Sequence, residues 1–344
     1  MKSCRVLLLT HPDLVPPESL KGFSEAEVNV WKTEFDVVST LRGAGHEVMP
    51  LGVDSELRPI RDAVESFKPH VVFNLLEEFD GIAKHDQHVV AFLELMRAPY
   101  TGCNPRGLLL SRDKVLCKQL LAFHRIPTPQ FAVFRRGARF ALPRRLRPPL
   151  FVKSATEDAS LGIAQASVVE DLPRLRERVQ FMHEQIGSDA LVEEYIEGRE
   201  LYVGVLGNQR LTRLPVWEMR FGSLPDSLPA IATRKVKWDR AYQRRYEITT
   251  RAAEELPAQV LQYLDRLSRR IYRALHLSGY ARIDFRVRAD GSVFMLEANA
   301  NPNLTRAEDF AESARAAGIE YPALLERIMA LGRNYRVEWR DYNA

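Results

Sequence analysis

The stretch from residue 279 to residue 305, GYARIDFRVRADGSVFMLEANANPNLT, constrains the fold more than any other part of the chain. It predicts two strands joined by a tight turn. Residues 281–288 alternate polar and apolar side chains, the dipeptide Asp290-Gly291 is typical of a hairpin turn, and residues 293–296 form a second apolar run. The prediction is therefore a β-hairpin with one polar face.

Charged and amide side chains follow this face of the predicted hairpin. Successive strand residues point to opposite faces, so Arg282, Asp284 and Arg286 share one face. Glu297 and Asn299 share a face near the end of the second strand. If the strands pair, Asp284, Glu297 and Asn299 converge as three oxygen ligands beside Arg282. Such ligands suit magnesium, which keeps open positions for phosphate oxygens. The alternative is an ordinary hairpin with a solvated charged face.

The order of these residues, R-x-D, a turn, and an apolar strand that ends E-x-N-x-x-P, resembles the C-terminal signature of the ATP-grasp ligases, and closely that of the D-alanine–D-alanine ligases. In that family the two acids and the asparagine hold the magnesium ions of ATP. The resemblance implies that Asp284, Glu297 and Asn299 bind two Mg²⁺ ions, with Mn²⁺ as an alternative. It also implies catalytic roles for Arg282, which meets the developing oxyanion, and for Asn303.

Length, charge and cysteine usage limit the other classes of function. A chain of 344 residues suits two or three domains, and a net charge of +4 does not by itself indicate a nucleic acid or membrane partner. Six arginines between residues 135 and 147 lack an aromatic platform beyond Phe140, which favours a solvated loop over an RNA-binding patch. The three cysteines lack metal-ligand spacing, and no apolar run approaches a membrane span. We therefore expect a cytoplasmic protein.

The N-terminal third alternates predicted strands (residues 5–10, 47–51 and 70–75) with predicted helices (residues 24–41 and 60–67). This order predicts a doubly wound α/β domain, and the missing G-x-G-x-x-G fingerprint disfavours a nicotinamide enzyme. Glu77 and Glu78 lie just past the third strand, where such domains carry ligand sites. On charge alone, a solvated acidic loop is the alternative.

Two lysines are candidates for binding phosphates. Lys153 ends a predicted strand before a polar loop, so the lysine can act as a point charge and the loop can offer N–H groups. The resemblance implies phosphate contacts from Lys153, from Ser160 in this loop, and from Lys114, which opens a helix that we expect Ser111 to cap. The loop departs from the family because it carries acids at residues 157 and 158 where glycines are usual, which leaves its closure over ATP open.

Residues 190–206 predict a strand, a turn at Glu197-Gly198 and another strand, a segment that can link two halves of a fold. Its alternative is a charged hairpin. The resemblance implies that this segment and two others hold the nucleotide. It implies that the adenine is lined by Glu193, Tyr195 and Ile196 and that the ribose is bound by Glu200. It also implies further nucleotide contacts from Leu296 and Lys237. Lys235 competes with Lys237 for the phosphate role.

These motifs fall in one order over residues 70–331, and together they predict an ATP-grasp fold, α/β with an α+β C-terminal half. We expect an N-terminal α/β domain (1–104), a central subdomain (105–190), a C-terminal subdomain with the metal site (191–333) and a tail (334–344). The resemblance implies an ATP-dependent carboxylate–amine ligase that acts through an acylphosphate on small molecules, and it is compatible with a homodimer. The alternatives are an ATP-grasp enzyme forming another bond or only an acylphosphate, and a non-catalytic nucleotide-binding protein.

One departure predicts that the product is not D-alanyl-D-alanine. In the D-alanine–D-alanine ligases, a serine and an apolar residue after E-x-N open a helix whose N–H groups hold the acceptor's carboxylate. The same count from Glu297 reaches Glu308 and Asp309, which would repel a carboxylate. The early G-x-S-x-E segment of the family is also missing, and Glu77 and Glu78 add negative charge. The alternative is that Glu308 and Asp309 only stabilise their own helix start.

Overall fold

The computed structural model describes residues 3–156, 162–225 and 228–337. Its strands are β1 Arg5–Thr10, β2 Glu47–Gly52, β3 Val71–Asn74, β4 Phe131–Phe134, β5 Leu150–Ser154, β6 Val168–Val169, β7 Ala190–Glu194, β8 Arg199–Leu206, β9 Thr212–Phe221, β10 Ile248–Ala252, β11 Tyr280–Val287 and β12 Val293–Ala300. Its α-helices are α1 Glu25–Val30, α2 Lys32–Gly43, α3 Arg58–Phe67, α4 Asp86–Leu95, α5 Pro105–Arg112, α6 Lys114–Phe123, α7 Leu172–Phe181, α8 Arg234–Trp238, α9 Arg240–Arg245, α10 Ala258–Ala274, α11 Asp309–Ala316 and α12 Tyr321–Arg333.

The N-terminal sheet is parallel, with strand order β2–β1–β3. The alternating side chains of β1 are buried on both faces of this sheet. Leu7 and Leu9 pack into a core shared with α3 and α4, whereas Val6 and Leu8 pack into a core shared with α2 and α12. A strand covered on both faces has to be continuously apolar, as the run RVLLLT is. The predicted doubly wound α/β domain is confirmed.

Two details of the helix predictions are wrong. The single helix expected over residues 24–41 is broken at Trp31, and its first part begins with a capping box between Ser24 and Glu27. Ser111 does not cap the helix that carries Lys114, because it lies inside α5 and donates to the carbonyl of Gly107. The cap is Asp113, whose carboxylate accepts from the N–H groups of residues 115 and 116 at 3.1 and 2.9 Å.

Two antiparallel sheets form the remainder of the fold. One has strand order β4–β7–β5–β6 and the other has order β10–β9–β8–β11–β12. The segment 190–206 crosses from one sheet to the other, since β7 belongs to the first and β8 to the second. The charged-hairpin alternative for this segment is therefore wrong. Gly198 sits in the crossing at φ +146°, where an added Cβ would collide with the carbonyl of Val287.

The hairpin of β11 and β12 forms as predicted. Asp284 lies opposite Glu297, and Arg282 lies opposite Asn299. The register then shifts, because Phe285 pairs with Met295, so Leu296 is the extra residue of a β-bulge. Apolar residues on the other face of these strands pack in the large core that also contains residues of α10. The core thereby fixes the direction in which the polar face of the hairpin points.

The N-terminal sheet is joined directly to the C-terminal part of the fold. Asn301, at φ +56°, uses its amide oxygen to accept from the N–H of Cys103 at 2.7 Å. The three cysteines all lie among the described residues, where they are buried and form no disulfide bond. Within the ranges that the structure describes, no helix is both long and apolar enough to cross a membrane.

Candidate active site

The polar face of the β11–β12 hairpin brings the predicted metal ligands together. Arg282 donates to both carboxylate oxygens of Asp284, from Nε at 2.8 Å and from Nη2 at 3.0 Å. Asn299 donates from Nδ2 to Asp284 Oδ2 at 3.1 Å. Asp284 and Glu297 face each other across the two strands. Three oxygen-bearing side chains and one guanidinium thus share a single face, as the strand alternation predicts.

The two carboxyl groups of this face differ in pKa. Burial raises the pKa of Asp284 to about 6, against the opposing attraction of Arg282. Burial would also raise the pKa of Glu297, but Lys237, Lys153 and then Lys114 together outweigh it and lower that pKa to about 2. Glu297 is therefore ionised at any physiological pH.

These side chains fit a divalent cation such as magnesium. Two carboxylates and an amide provide hard oxygen donors, which are the ligands that magnesium prefers. The Asn299 amide carries both an oxygen and an NH₂ group, and rotation about its last side-chain bond turns either of them toward a cation. Bonding to Arg282 orients Asp284 beside this position.

Three lysines from three separate elements lie around Glu297. Lys153 is on β5, Lys114 is the first residue of α6, and Lys237 is on α8. All three lower the pKa of Glu297, so all three are close enough to act on its charge. Lys235 is exposed, while Lys237 is half-buried. Of the two lysines that compete in the sequence, Lys237 is the one that the structure brings to the polar face of the β11–β12 hairpin.

The predicted nucleotide residues of the crossing segment lie between the two antiparallel sheets. Ile196 is buried and Tyr195 is half-buried. The Glu193 carboxylate contacts two ammonium groups, Lys118 Nζ at 2.6 Å and Lys153 Nζ at 3.0 Å. Glu200 bonds Arg286 Nη2 at 2.7 Å.

A cavity of about 600 Å³ opens beside Glu200. It is lined on one side by Gly198 and Arg199 of the crossing and on another by Met219 and Ala230. Of the predicted nucleotide residues, the lining includes Glu200, the predicted ribose contact, and it includes neither Lys153 nor the polar face of the β11–β12 hairpin. Leu296 is half-buried in the bulge next to Glu297. Ser160 lies outside the described residues.

Another end of the site lies where α11 begins. Glu308 occupies the N-cap position without a side-chain capping bond, and Asp309 Oδ2 lies 3.9 Å from Arg282 Nη1. Partial burial and then the charge of Asp309 raise the pKa of Glu308. The two acids therefore stand beside the predicted catalytic arginine. The Asn303 Oδ1 accepts from the N–H of Thr305 at 2.7 Å and from the hydroxyl of Thr33 on α2 at 3.3 Å.

The N-terminal sheet contributes further acids. Glu77 is exposed, and Glu78 lies 3.8 Å from the imidazole of His11. Glu34 on α2 is 5% exposed and accepts from the Thr10 hydroxyl at 3.3 Å. Burial raises the pKa of Glu34 to about 7, and Glu77 adds to that shift. These acids surround the carboxyl ends of β1 and β3.

Two residues of this arrangement and the partner of a third escape the sequence argument. Lys118 lies one helical turn after Lys114, and that i,i+4 spacing is a signal that could have found it. Arg286 continues the alternation of Arg282 and Asp284, but nothing in the sequence pairs it with Glu200. Glu34 carries no signal, since an acid in an amphipathic helix usually faces water.

Comparisons with known proteins agree with this geometry. Residues 120–330 match the family model described as D-ala D-ala ligase C-terminus. An uncharacterized protein, y4sG, of Sinorhizobium fredii is 33% identical over 85% of this chain and 85% of its own length. A D-alanine–D-alanine ligase of Desulforudis audaxviator is 30% identical over 86% of this chain and 91% of its own length.

Solved structures share the fold along the whole chain. The crystal structure of a D-alanine–D-alanine ligase from Bacillus anthracis complexed with ATP covers 99% of this chain and 100% of its own, with a TM-score of 0.73 at 23% identity. The chain therefore belongs to the D-alanine–D-alanine ligase family, with the predicted ATP-grasp fold and the predicted enzyme class, an ATP-dependent ligase that forms C–N bonds.

Proposed function

We propose that this enzyme joins a small-molecule carboxylate to an amine that has no carboxylate near its nitrogen. A carboxylate oxygen of the first substrate attacks the γ-phosphorus of ATP, the bond to the β-phosphate oxygen breaks, and an acylphosphate and ADP result. The amine nitrogen then attacks the acyl carbon and loses a proton. Phosphate departs, leaving an amide.

The phosphate end of this proposal rests on the cations around Glu297. Lys114, Lys153 and Lys237 would neutralise the phosphates of ATP, and the burial of the first two and partial burial of the third strengthen their attraction. Asp284, Glu297 and Asn299 would hold the divalent metal, for which we propose two Mg²⁺ ions with Mn²⁺ as a substitute. When bound, the metal neutralises charge that develops on the transferred phosphoryl group.

The other nucleotide contacts are assigned by family membership and supported by position. Tyr195 and Ile196 would line the adenine and Glu200 would meet the ribose, because all three lie at the crossing between the two sheets. Family membership also assigns Glu193 on β7, Leu296 on β12 and Ser160, the last of which lies outside the described residues. Arg282 would stabilise the oxyanion of the second step, and Asn303 lies in the loop beside it.

The acceptor preference rests on the acids at the start of α11. A helix N-terminus attracts a carboxylate through its N–H groups and dipole. Here the chain's own carboxylates occupy that position, with Asp309 Oδ2 3.9 Å from Arg282 Nη1. An acceptor carboxylate would meet two negative charges there, whereas a bare amine or a cationic group would be attracted. Glu77 and Glu78 give the same preference from the N-terminal sheet.

The competing function is condensation of two D-alanines, the activity named for several relatives. The two are separated by measuring ADP release with D-alanine, other amino acids, dipeptides, simple amines and diamines, and identifying the products by mass. We expect an amide product with an amine acceptor and none with paired D-alanines. Efficient D-alanyl-D-alanine formation by the wild-type protein would refute the acceptor proposal.

A double variant tests the residues themselves. Glu308→Ser together with Asp309→Leu should shift acceptor preference toward amines that carry a carboxylate. Arg315→Ser with Glu312→Leu, further along α11, is the matched control, because it disrupts an exposed ion pair of 2.6 Å on the same helix. An acceptor preference that is unchanged in the first variant would assign Glu308 and Asp309 to helix stability alone.

We also propose the domain division at residues 104, 190 and 333, with residues 334–344 as a tail. Its support is that the β2–β1–β3 sheet falls within the first part and the β10–β9–β8–β11–β12 sheet within the third. The boundary at 190 cuts β7 (Ala190–Glu194), which belongs to the sheet of the central part, so the structure favours a boundary after Glu194. A homodimer and a cytoplasmic location remain predictions, as does the lack of a nucleic acid partner.

A further inference from the structure

Lys118 is a buried lysine that the roles assigned so far do not use. Its side chain is 1% exposed, and its Nζ lies 2.6 Å from Glu193 Oε1. The other oxygen of the same carboxylate lies 3.0 Å from Lys153 Nζ. Glu193 therefore contacts both Lys153, a proposed phosphate-binding lysine, and Lys118, to which no role has been assigned.

The backbone fixes this arrangement. Glu193 on β7 pairs with Phe151 on β5, which makes Lys153 its diagonal neighbour on the same sheet face. Lys118 reaches the carboxylate from α6, the helix that also carries Lys114. Two strands and a helix thus hold one carboxylate and two ammonium groups, all of them more than nine-tenths buried.

Within this group the positive charges exceed the negative charge by one, and the nearby Glu297 is shared between Lys153, Lys237 and Lys114. Two ammoniums and one carboxylate sum to +1, and an uncompensated charge away from water is costly. Burial lowers the pKa of Lys118, and Glu193 opposes that effect. Burial also acts to lower the pKa of Lys153, but Glu193 and Glu297 more than reverse it, so that pKa is raised. A negatively charged ligand near Lys153 would complete the compensation.

We propose that Lys118 is a positioning residue for nucleotide phosphate binding: it holds half of Glu193, so that Lys153 keeps charge and donors for the phosphates. An ammonium has three donors, and contact with one carboxylate oxygen leaves the others for a ligand. Without Lys118, both oxygens of Glu193 turn to Lys153 and neutralise it. The carboxylate then restrains the lysine that the nucleotide needs.

The test measures binding of ATP and of adenosine, without carboxylate or amine substrates. Adenosine reports the adenine and ribose contacts alone, so the ratio of the two dissociation constants isolates the phosphates. Lys118→Met should raise the dissociation constant of ATP about tenfold or more, which corresponds to the loss of one charge-assisted contact. The dissociation constant of adenosine should change by about twofold or less. Lys235→Met, which removes an exposed lysine, should leave the ratio within about twofold of wild type.

A second variant keeps the inference testable if Lys118→Met folds poorly. Lys118→Met with Glu193→Gln leaves no unpaired carboxylate, so Lys153 regains its charge and the ratio should return to within about threefold of the wild-type value. A purely structural role predicts equal losses for ATP and adenosine in the single variant and no recovery in the double variant. Either of these results would overturn the proposal, as would an absence of ATP binding by the wild-type protein.

The inference does not depend on the acceptor. Nucleotide binding is measured without the second substrate, so a failed condensation assay leaves it intact. Conversely, an unchanged ratio in the Lys118→Met variant would leave the acceptor proposal intact.

Discussion

Replacing Glu297 with glutamine should separate nucleotide binding from turnover. Glu297 is a proposed metal ligand, and it is also the anion that Lys237, Lys153 and Lys114 surround. The substitution keeps the shape of the side chain and removes one negative charge. The proposed metal site then loses a ligand, while the three lysines lose a common partner that competes with the phosphates of ATP.

The two effects have opposite signs and different sizes. Unit charges roughly 4–8 Å apart interact by about 2–4 kcal/mol at an effective dielectric constant of ~20. Solvent screening and rearrangement of the lysine side chains offset most of this interaction energy. We therefore expect metal-free ATP to bind the variant about two- to tenfold more tightly than the wild-type protein. Turnover with magnesium should fall by a factor on the order of a hundred or more, because neutralisation of the transferred phosphoryl group is impaired.

Both quantities are measured on the same samples. Calorimetric titration with ATP, with and without magnesium, gives the affinities, and ADP release with a productive substrate pair gives turnover. Glu326→Gln is the matched control, since Glu326 is a largely buried acid that bonds His46 at 2.6 Å in another part of the fold. Near-wild-type turnover of Glu297→Gln at saturating magnesium would remove Glu297 from the metal site. Weaker binding of metal-free ATP would refute the competition between Glu297 and the phosphates.

Three further predictions concern single residues. Lys237→Ala should raise the KM for ATP about tenfold or more, because it removes a cation beside Glu297, whereas the exposed Lys235→Ala should change it by less than about twofold; equal effects would mean that the register is wrong. The pKa of Glu34 is about 7 in the folded protein, above its ordinary 4.5, so the free energy of unfolding should fall as pH rises between these values. Glu34→Gln should remove that part of the pH dependence, up to about 3 kcal/mol in denaturant titrations, and an unchanged profile would contradict it. Asp113→Ala should lower the free energy of unfolding by about 0.5–2 kcal/mol through loss of the α6 cap, while Ser111→Ala should cost less than that; the reverse order would contradict the capping assignment.

Elements whose pattern repeats along the chain could be predicted from the sequence. The β1 strand and the β11–β12 hairpin follow from continuous burial and from alternation, which local residues determine. The break at Trp31 and the cap at Asp113 could not be read, because two helices in sequence give the same apolar spacing as one. Whether the chain forms a hairpin or a crossing at Gly198 depends on which sheet each flanking strand joins. The strands pair with partners distant in sequence, which the local residues do not specify.

The candidate site likewise has one part whose arrangement follows from the sequence and another part whose arrangement does not. Asp284, Glu297 and Asn299 converge because strand alternation places them on one face, and this can be computed from spacing alone. The partners of Glu193 and Glu200 cannot, since Lys118 and Arg286 reach them from other elements 75 and 86 residues away. The convergence of the predicted metal ligands on one face could therefore be predicted, whereas the ion pairs at Glu193 and Glu200 could not.

Arg282 connects the metal-binding face with the acceptor end of the site. Its Nε and Nη2 are used by Asp284, at 2.8 and 3.0 Å. Its Nη1 lies 3.9 Å from Asp309 Oδ2, which is attractive in charge but too long for a hydrogen bond. The Nη1 group is therefore the part of Arg282 to which we assign the proposed oxyanion contact. If Arg282 stabilises the oxyanion as we propose, a change at Asp309 that alters acceptor choice should also alter the rate of amide formation.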